Sequence, residues 1–253
     1  MGAALSATPV LELHDVERLH GTGVRSVRAL GPVSLSVAHG ELVAIMGPSG
    51  SGKSTLLGLA GALDRPSAGR VVVEGVDLAQ CSTGALAALR RRSVGFVFQD
   101  LNLLPGLTAE ENVALPLELD GVRPTEARDL AQQALGRVGL RELAERLPDD
   151  LSGGEQQRVA VARAFVGPRR LLLADEPTGA LDTVTGELVL RLLRQACDDG
   201  CSAVLVTHDA SHAAWADRVL QLRDGRLVGP AARSEARPGA TTLRLPSRPE
   251  GSA

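Results

Sequence analysis

The sequence predicts an α/β protein whose sheet is covered by helices on both faces. Short apolar runs bounded by Gly or polar residues lie at Leu42–Met46, Arg70–Val73, Val94–Phe98, Leu171–Ala174, Val204–Thr207 and Arg218–Leu222. Several lack the period-two alternation of a strand with one wet face, so they read as strands buried on both sides. Helical patterns lie between them, and one glycine-rich loop joins a run directly to a helix.

In chain order, Leu42–Met46 leads through that loop into a helix over Ser54–Leu63. Strands at Arg70–Val73 and Val94–Phe98 follow. From Thr108 to Pro148 the pattern is mainly helical, and Ala127, Leu130, Ala131, Ala134, Leu135 and Val138 share one face of Glu126–Val138. This stretch reads as a helical insertion at about 100–150. Ser152 is placed to cap a helix over Gln156–Phe165. Leu171–Ala174 ends in two carboxylates, a helix over Gly186–Cys197 follows, and Val204–Thr207 and Arg218–Leu222 complete the sheet. The expected folded unit is 1–228. Beyond it the chain turns Pro-, Ser-, Arg- and Gly-rich without periodicity and reads as a disordered tail, 229–253.

At 253 residues the chain is one large domain or two small ones. It is 44% hydrophobic and 23% charged, an ordinary globular composition, and a net charge of -3 argues against a strongly basic nucleic-acid binder. No run approaches the ~20 apolar residues of a membrane span. The N-terminus has neither the basic start nor the apolar stretch of a signal peptide. Gly2 and Ser6 fit an N-myristoylation pattern, which a run of small residues produces by chance. Three cysteines without CxxC spacing predict reduced thiols and no zinc ribbon. Lys plus Arg number 27, yet Lys53 is the only Lys; there is no Tyr, and the aromatics are Phe96, Phe98, Phe165 and Trp215.

Lys53 lies in Gly47-Pro48-Ser49-Gly50-Ser51-Gly52-Lys53-Ser54-Thr55, which fits GxxxxGK[ST] between a strand and a helix. Glycines let successive N–H groups point at phosphate oxygens, and the helix start adds its positive dipole end. Lys53 is expected to reach the β- and γ-phosphates of ATP, and Ser54 to offer its hydroxyl to Mg2+. A compact ammonium suits a tight phosphate cradle better than a guanidinium, which accounts for a Lys in a chain that otherwise uses Arg. Asp175 ends an apolar strand, the way such proteins hold Mg2+, and Glu176 is placed to orient or deprotonate the attacking water.

Leu151-Ser152-Gly153-Gly154-Glu155-Gln-Gln-Arg158 opens a second helix start suited to an anion. With this motif the sequence resembles the nucleotide-binding subunit of an ABC transporter over roughly Leu11 to Val228. The resemblance implies a P-loop NTPase (RecA-like) core with an N-terminal antiparallel β subdomain and a helical insertion subdomain. It implies that Ser152, Gly153, Gly154 and Glu155 close over ATP held by a second copy, so that a homodimer sandwiches two ATP molecules. Gln99 resembles the family glutamine that meets Mg2+ and the attacking water. Ala180-Leu181-Asp182 resembles the loop that crosses the dimer, and His208 the histidine at the γ-phosphate. Gly47–Leu57, Val97–Pro105, Glu111–Leu117 and Asp175–Asp182 are more narrowly similar to the MacB/LolD/FtsE-like branch, whose members pair with integral membrane permeases of the FtsX/MacB kind. That implies a cytoplasmic protein held peripherally at the inner face of the membrane, with no nucleic-acid partner. The apolar segment Leu101, Leu103, Leu104 and Leu107 is expected to dock a permease helix.

Other readings are weaker. His208 and His212 stand four apart, but Asp209 replaces the Glu of a zinc helix and His208 falls at a strand end. Arg90-Arg91-Arg92 reads as a solvated face. Trp215 reads as a core residue. About fifty residues separate Gln99 from Ser152, too few for the coiled coil of the repair and chromosome ATPases. A soluble cluster-assembly ATPase or a force-transmitting complex is the alternative to export. Family members usually stack an aromatic on adenine just before a Gly in the N-terminal segment; here His20, before Gly21, takes that slot.

Overall fold

The computed structural model describes residues 8–21 and 26–233. A six-stranded sheet runs in the order β10-β9-β3-β8-β7-β6. Its strands are β3 (Leu42–Met46), β6 (Val94–Val97), β7 (Leu171–Asp175), β8 (Ser202–Val206), β9 (Arg218–Arg223) and β10 (Arg226–Arg233). The neighbours from β9 to β6 pair in parallel, and β10 pairs antiparallel with β9. β3, β7 and β8 are almost wholly buried, and alternate residues serve two cores. Leu42 and Ala44 face one cluster, Val43 and Ile45 the other. The apolar runs carry no alternation because both faces are dry.

One core is covered by α3 (Ala109–Glu118), α4 (Pro124–Arg137), α5 (Gly153–Phe165) and α6 (Thr183–Asp198), and Trp215 packs against it. The other lies between α1 (Lys53–Ala60) and a second sheet in the order β2-β1-β4-β5. That sheet is antiparallel and consists of β1 (Leu11–His20), β2 (Val27–Val37), β4 (Ala68–Val73) and β5 (Val76–Asp77). It is the antiparallel subdomain that the resemblance implied. The run at Arg70–Val73 belongs to it rather than to the main sheet. β1 and β2 escape a search for continuous apolar runs: their pairing shifts register between Leu13 and Leu19, and Asp15 takes a left-handed φ of 47°. These irregularities interrupt the alternation that marks a one-sided strand.

The remaining helices are α2 (Thr83–Arg92) and the short α7 (Ala210–Ala213). The helix expected over Ser54–Leu63 ends at Ala60, where Ala62 turns left-handed at φ 56° and the Leu63 N–H donates back to the Gly58 carbonyl at 2.9 Å. α3 and α5 open with reciprocal capping boxes, Thr108 with Glu111 and Ser152 with Glu155. β10 continues to Arg233, past the boundary expected at 228, and a register shift between Val228 and Ala232 accommodates Gly229 and Pro230 on this edge strand. The rest of the expected tail and the Gly2–Ser6 pattern lie outside the described residues. No helix among those described is long and apolar enough to cross a membrane.

Candidate active site

Parallel strands bring their carboxyl ends to one edge of the sheet, and a cavity of about 790 Å3 opens there. β3 delivers the Gly47–Thr55 loop, β6 leads to Gln99, β7 ends in Asp175 and Glu176, and β8 leads to His208. Gly47, Pro48, Ser49, Gly50, Gly52, Lys53, Ser54, Thr55, Gln99, Asp175, Glu176 and His208 all line the cavity. Ser51 is buried behind the loop and does not line it.

The loop conformation depends on glycine. A Cβ on Gly47 would collide with the Leu222 carbonyl, and one on Gly52 with the Ala29 carbonyl of β2. Gly50 and Gly52 take φ of 76° and 101°, the left-handed region. The Lys53 ammonium donates to the carbonyls of Gly47 and Pro48 at 2.8 and 2.9 Å, which folds it over the loop. Burial pushes the Asp175 carboxyl up, while a hydrogen bond from Ser54 and the charge of Lys53 pull it back. Ser54, Asp175 and the Gln99 amide present hydroxyl, carboxylate and carbonyl oxygens, a hard donor set suited to Mg2+.

Glu176 and His208 meet directly, with Oε1 and Nδ1 2.8 Å apart. The Glu176 bond and charge raise the His208 imidazole above its ordinary value. Thr207 Oγ1 donates to Glu176 Oε2 at 3.5 Å. Glu176 has φ 48°, and its backbone N–H donates to the Val206 carbonyl at 3.0 Å. His212 bonds Thr178, so the two histidines serve different partners.

The other expected site residues lie outside this cavity. Ser152 accepts from the Glu155 N–H at 3.3 Å and donates its hydroxyl to the Glu155 carboxylate at 2.8 Å. The Ser152 backbone N–H, which donates to the same carboxylate at 2.8 Å, and then that hydroxyl hold the Glu155 carboxyl below its usual range. A Cβ on Gly154 would rest 3.5 Å from Leu181, so the Ser152 turn packs beside Ala180-Leu181. Asp182 caps α6 through the Thr185 N–H and hydroxyl at 3.0 and 2.7 Å. His20 is exposed at the end of β1, opposite Val27, and does not line the cavity. Of the expected docking segment, only Leu104 is well exposed. Leu103 packs against the core, Arg163 holds the Leu101 and Asn102 carbonyls at 2.6 Å, and Asn112 grips Leu104, Leu107 and Thr108.

Sequence reasoning missed Gln157, Gly179 and Ala180 as lining residues. Gln157 is 2% exposed, and its Nε2 has no hydrogen-bond partner among the described residues. A buried polar side chain two turns from no obvious ligand gives little signal in one sequence; its place on the capped start of α5 was the only clue.

Strand–loop–helix geometry, a lysine over a glycine cradle and a carboxylate at the end of β7, one strand removed from β3, define a P-loop nucleotide-binding core. The ABC transporter family matches residues 30–179, and the chain belongs to that family as an ATPase cassette. It is 46% identical over 90% of its length to a macrolide export ATP-binding/permease protein MacB of Hyphomonas neptunium, and 47% identical over 87% to the MacB of Shigella flexneri. It covers only 35% and 34% of those proteins, about a third of the length of these curated relatives. Among solved structures it resembles the ATP-binding cassette MJ0796, described as dimeric in a post-hydrolysis state bound to ADP and Pi. The TM-score is 0.85 at 40% identity, covering 89% of this chain and 99% of that one.

Proposed function

We propose that two copies of this chain pair head to tail around two ATP molecules and that this pairing drives a membrane permease. The observation that carries the reading is a division within one chain. The Lys53 cradle, Asp175, Glu176 and His208 share one cavity, whereas the Ser152–Glu155 turn lies outside it and is free to serve another copy's phosphate. Similarity to export proteins named ATP-binding/permease and to a dimeric cassette supports the pairing and the permease.

In this reading Gly47–Thr55 binds the phosphates, Lys53 moving from its own loop carbonyls to the γ-phosphate. Ser54, Gln99 and Asp175 would hold Mg2+, which would supply neutralising charge for the transferring phosphoryl group. Glu176 takes the proton of the attacking water, and His208 orients that carboxylate and meets the γ-phosphate. Ser152 and the N–H groups of Gly153, Gly154 and Glu155 bind the partner's γ-phosphate, with Asp182 at the crossing. Loss of that phosphate reopens the pair, a two-state switch biased by one group. The exposed face around Leu104 docks the permease, which places the chain at the inner face of the cell membrane. The cargo is a lipid, lipoprotein, peptide or drug-like molecule. Glu176→Gln tests this. It is expected to lose about 10²- to 10⁴-fold in hydrolysis and to run as a dimer with ATP in gel filtration. A monomer under those conditions overturns the pairing.

A further inference from the structure

The segments that follow β7 and β8 are joined at two places. The first is the Glu176 carboxylate, which meets His208 Nδ1 inside the cavity and also accepts from Thr207 Oγ1. The second lies behind it, where Thr178 Oγ1 and His212 Nδ1 stand 3.1 Å apart. Thr178 is 6% exposed, and neither residue lines the cavity. On its far side the imidazole Nε2 faces Asp209 Oδ2 at 3.7 Å, while Asp209 itself caps α7 through the Ser211 N–H at 2.7 Å. The ring is therefore set between a fixed carboxylate and the Thr178 hydroxyl.

What the second join holds is a strained turn. Glu176 carries its side chain from a left-handed backbone at φ 48°, a conformation that costs a non-glycine residue and lasts only where neighbours over-determine it. The turn is closed by Gly179 N–H donating to the Glu176 carbonyl at 3.1 Å, and Leu181 N–H donates to the Thr178 carbonyl at 3.0 Å. Thr178 is the third residue of the first turn and opens the second. Beyond it, Ala180 and Leu181 abut Gly154 of the Ser152 turn. Thr178 thus adds, outside the cavity, a side-chain hydrogen bond between the catalytic carboxylate's turn and α7, the short helix after His208.

We infer that His212, through its hydrogen bond to Thr178, is a positioning residue that holds the Glu176 turn in register with the His208 loop during ATP hydrolysis. The inference rests on the ATPase reading above. His212 does not line the cavity, and it acts only by fixing where the Glu176 carboxylate points.

The test compares the full chain with His212→Ala, Thr178→Val, the double variant and His212→Gln. Steady-state hydrolysis and amide hydrogen exchange over 176–181 are the readouts. Each single variant is expected to lose about fivefold to tenfold in kcat with KM within about twofold, the mark of a lost transition-state alignment. The double variant is expected to be no worse than either single, because both remove one bond. Faster exchange at Gly179 and Leu181 accompanies the loss, and His212→Gln, which can still bond Thr178, recovers at least about half the activity. Unchanged kcat in either single variant, losses that multiply in the double, or unchanged exchange overturns the inference. A wild-type chain that fails to hydrolyse ATP overturns the ATPase reading instead, and the exchange comparison still decides whether His212 holds the turn.

Discussion

The six-stranded sheet reaches the cavity through its strand ends, whereas the four-stranded sheet meets the phosphate loop from behind, through Ala29 and Leu30 of β2. β3, β6, β7 and β8 each deliver a functional side chain. The antiparallel sheet delivers none to the cavity lining. Its contribution is contact: the Ala29 carbonyl and the Leu30 side chain lie against Gly52, and Leu30 also abuts Gly225, whose N–H donates to the Ser51 carbonyl at 3.0 Å. One sheet carries the chemistry, and the other fixes the shape of the loop that holds the phosphates. Damage to the two regions is therefore expected to read out differently.

Leu30→Ala is the strongest test of that division. Leu30 is 0% exposed in the core beneath the loop. Its truncation is expected to cost about 2–5 kcal/mol in stability and to weaken ATP binding at temperatures where the chain is still folded. If the melting temperature falls while ATP affinity stays at the wild-type value, the antiparallel sheet is a stabilising layer only. Gly52→Ala sharpens the same contact from the other side. The added methyl would meet the Ala29 carbonyl at a φ of 101°. Backbone strain alone is about 1–3 kcal/mol, which corresponds to roughly a fivefold to 150-fold loss of affinity if the loop distorts to relieve it. Isothermal titration with ATP measures this, and a variant with intact affinity would show that β2 yields instead.

The two sheets also differed in how legible they were. A strand buried on both faces announces itself as a continuous apolar run, and β3, β6, β7 and β8 were readable that way, while β9 was found although its burial alternates. Asp175, Glu176 and His208 were legible because each closes or closely follows such a run, and Lys53 because the glycine-rich motif after β3 fixes its place. β1 has no such run. Its charged and bulged middle, Asp15 to Arg18, hides the buried Leu11, Leu13 and Val16. Val33-Ser-Leu-Ser-Val37 did alternate, and a search for one-sided strands would have found β2. Gln157 and the Thr178–His212 bond were not legible, because each depends on two segments meeting in space.

A smaller effect separates the regions by pH. Glu176 raises the His208 imidazole above the ordinary value of about 6.5. A raised folded-state value means that the ion pair's stabilisation is fully present below the unfolded value and disappears as pH rises through the folded one. His208 is 77% exposed, so solvent screening keeps this below about 1 kcal/mol. The melting-temperature difference between wild type and His208→Ala is therefore expected to be clear near about pH 6 and absent by about pH 9. A difference that does not change across that range would mean that the pair does not form in solution. Leu30→Ala removes no titrating group, so its deficit is expected to stay flat over the same range.

His20 is where the antiparallel sheet would contribute a side chain after all, and the expected effect is the smallest. It stands exposed at the end of β1, with no role in the core and outside the phosphate cavity. We propose that it stacks on the adenine ring, as the aromatic before Gly21 does in the family resemblance. An imidazole covers less of a purine than a phenol does. His20→Tyr should therefore gain about 0.5 kcal/mol of stacking, roughly a twofold tightening. The same substitution leaves triphosphate binding untouched, so the gain should appear with ATP and vanish with inorganic tripolyphosphate. Equal effects on both ligands, or none on either, would remove β1 from base recognition and leave the antiparallel sheet acting on the nucleotide only through the backbone that props Gly52.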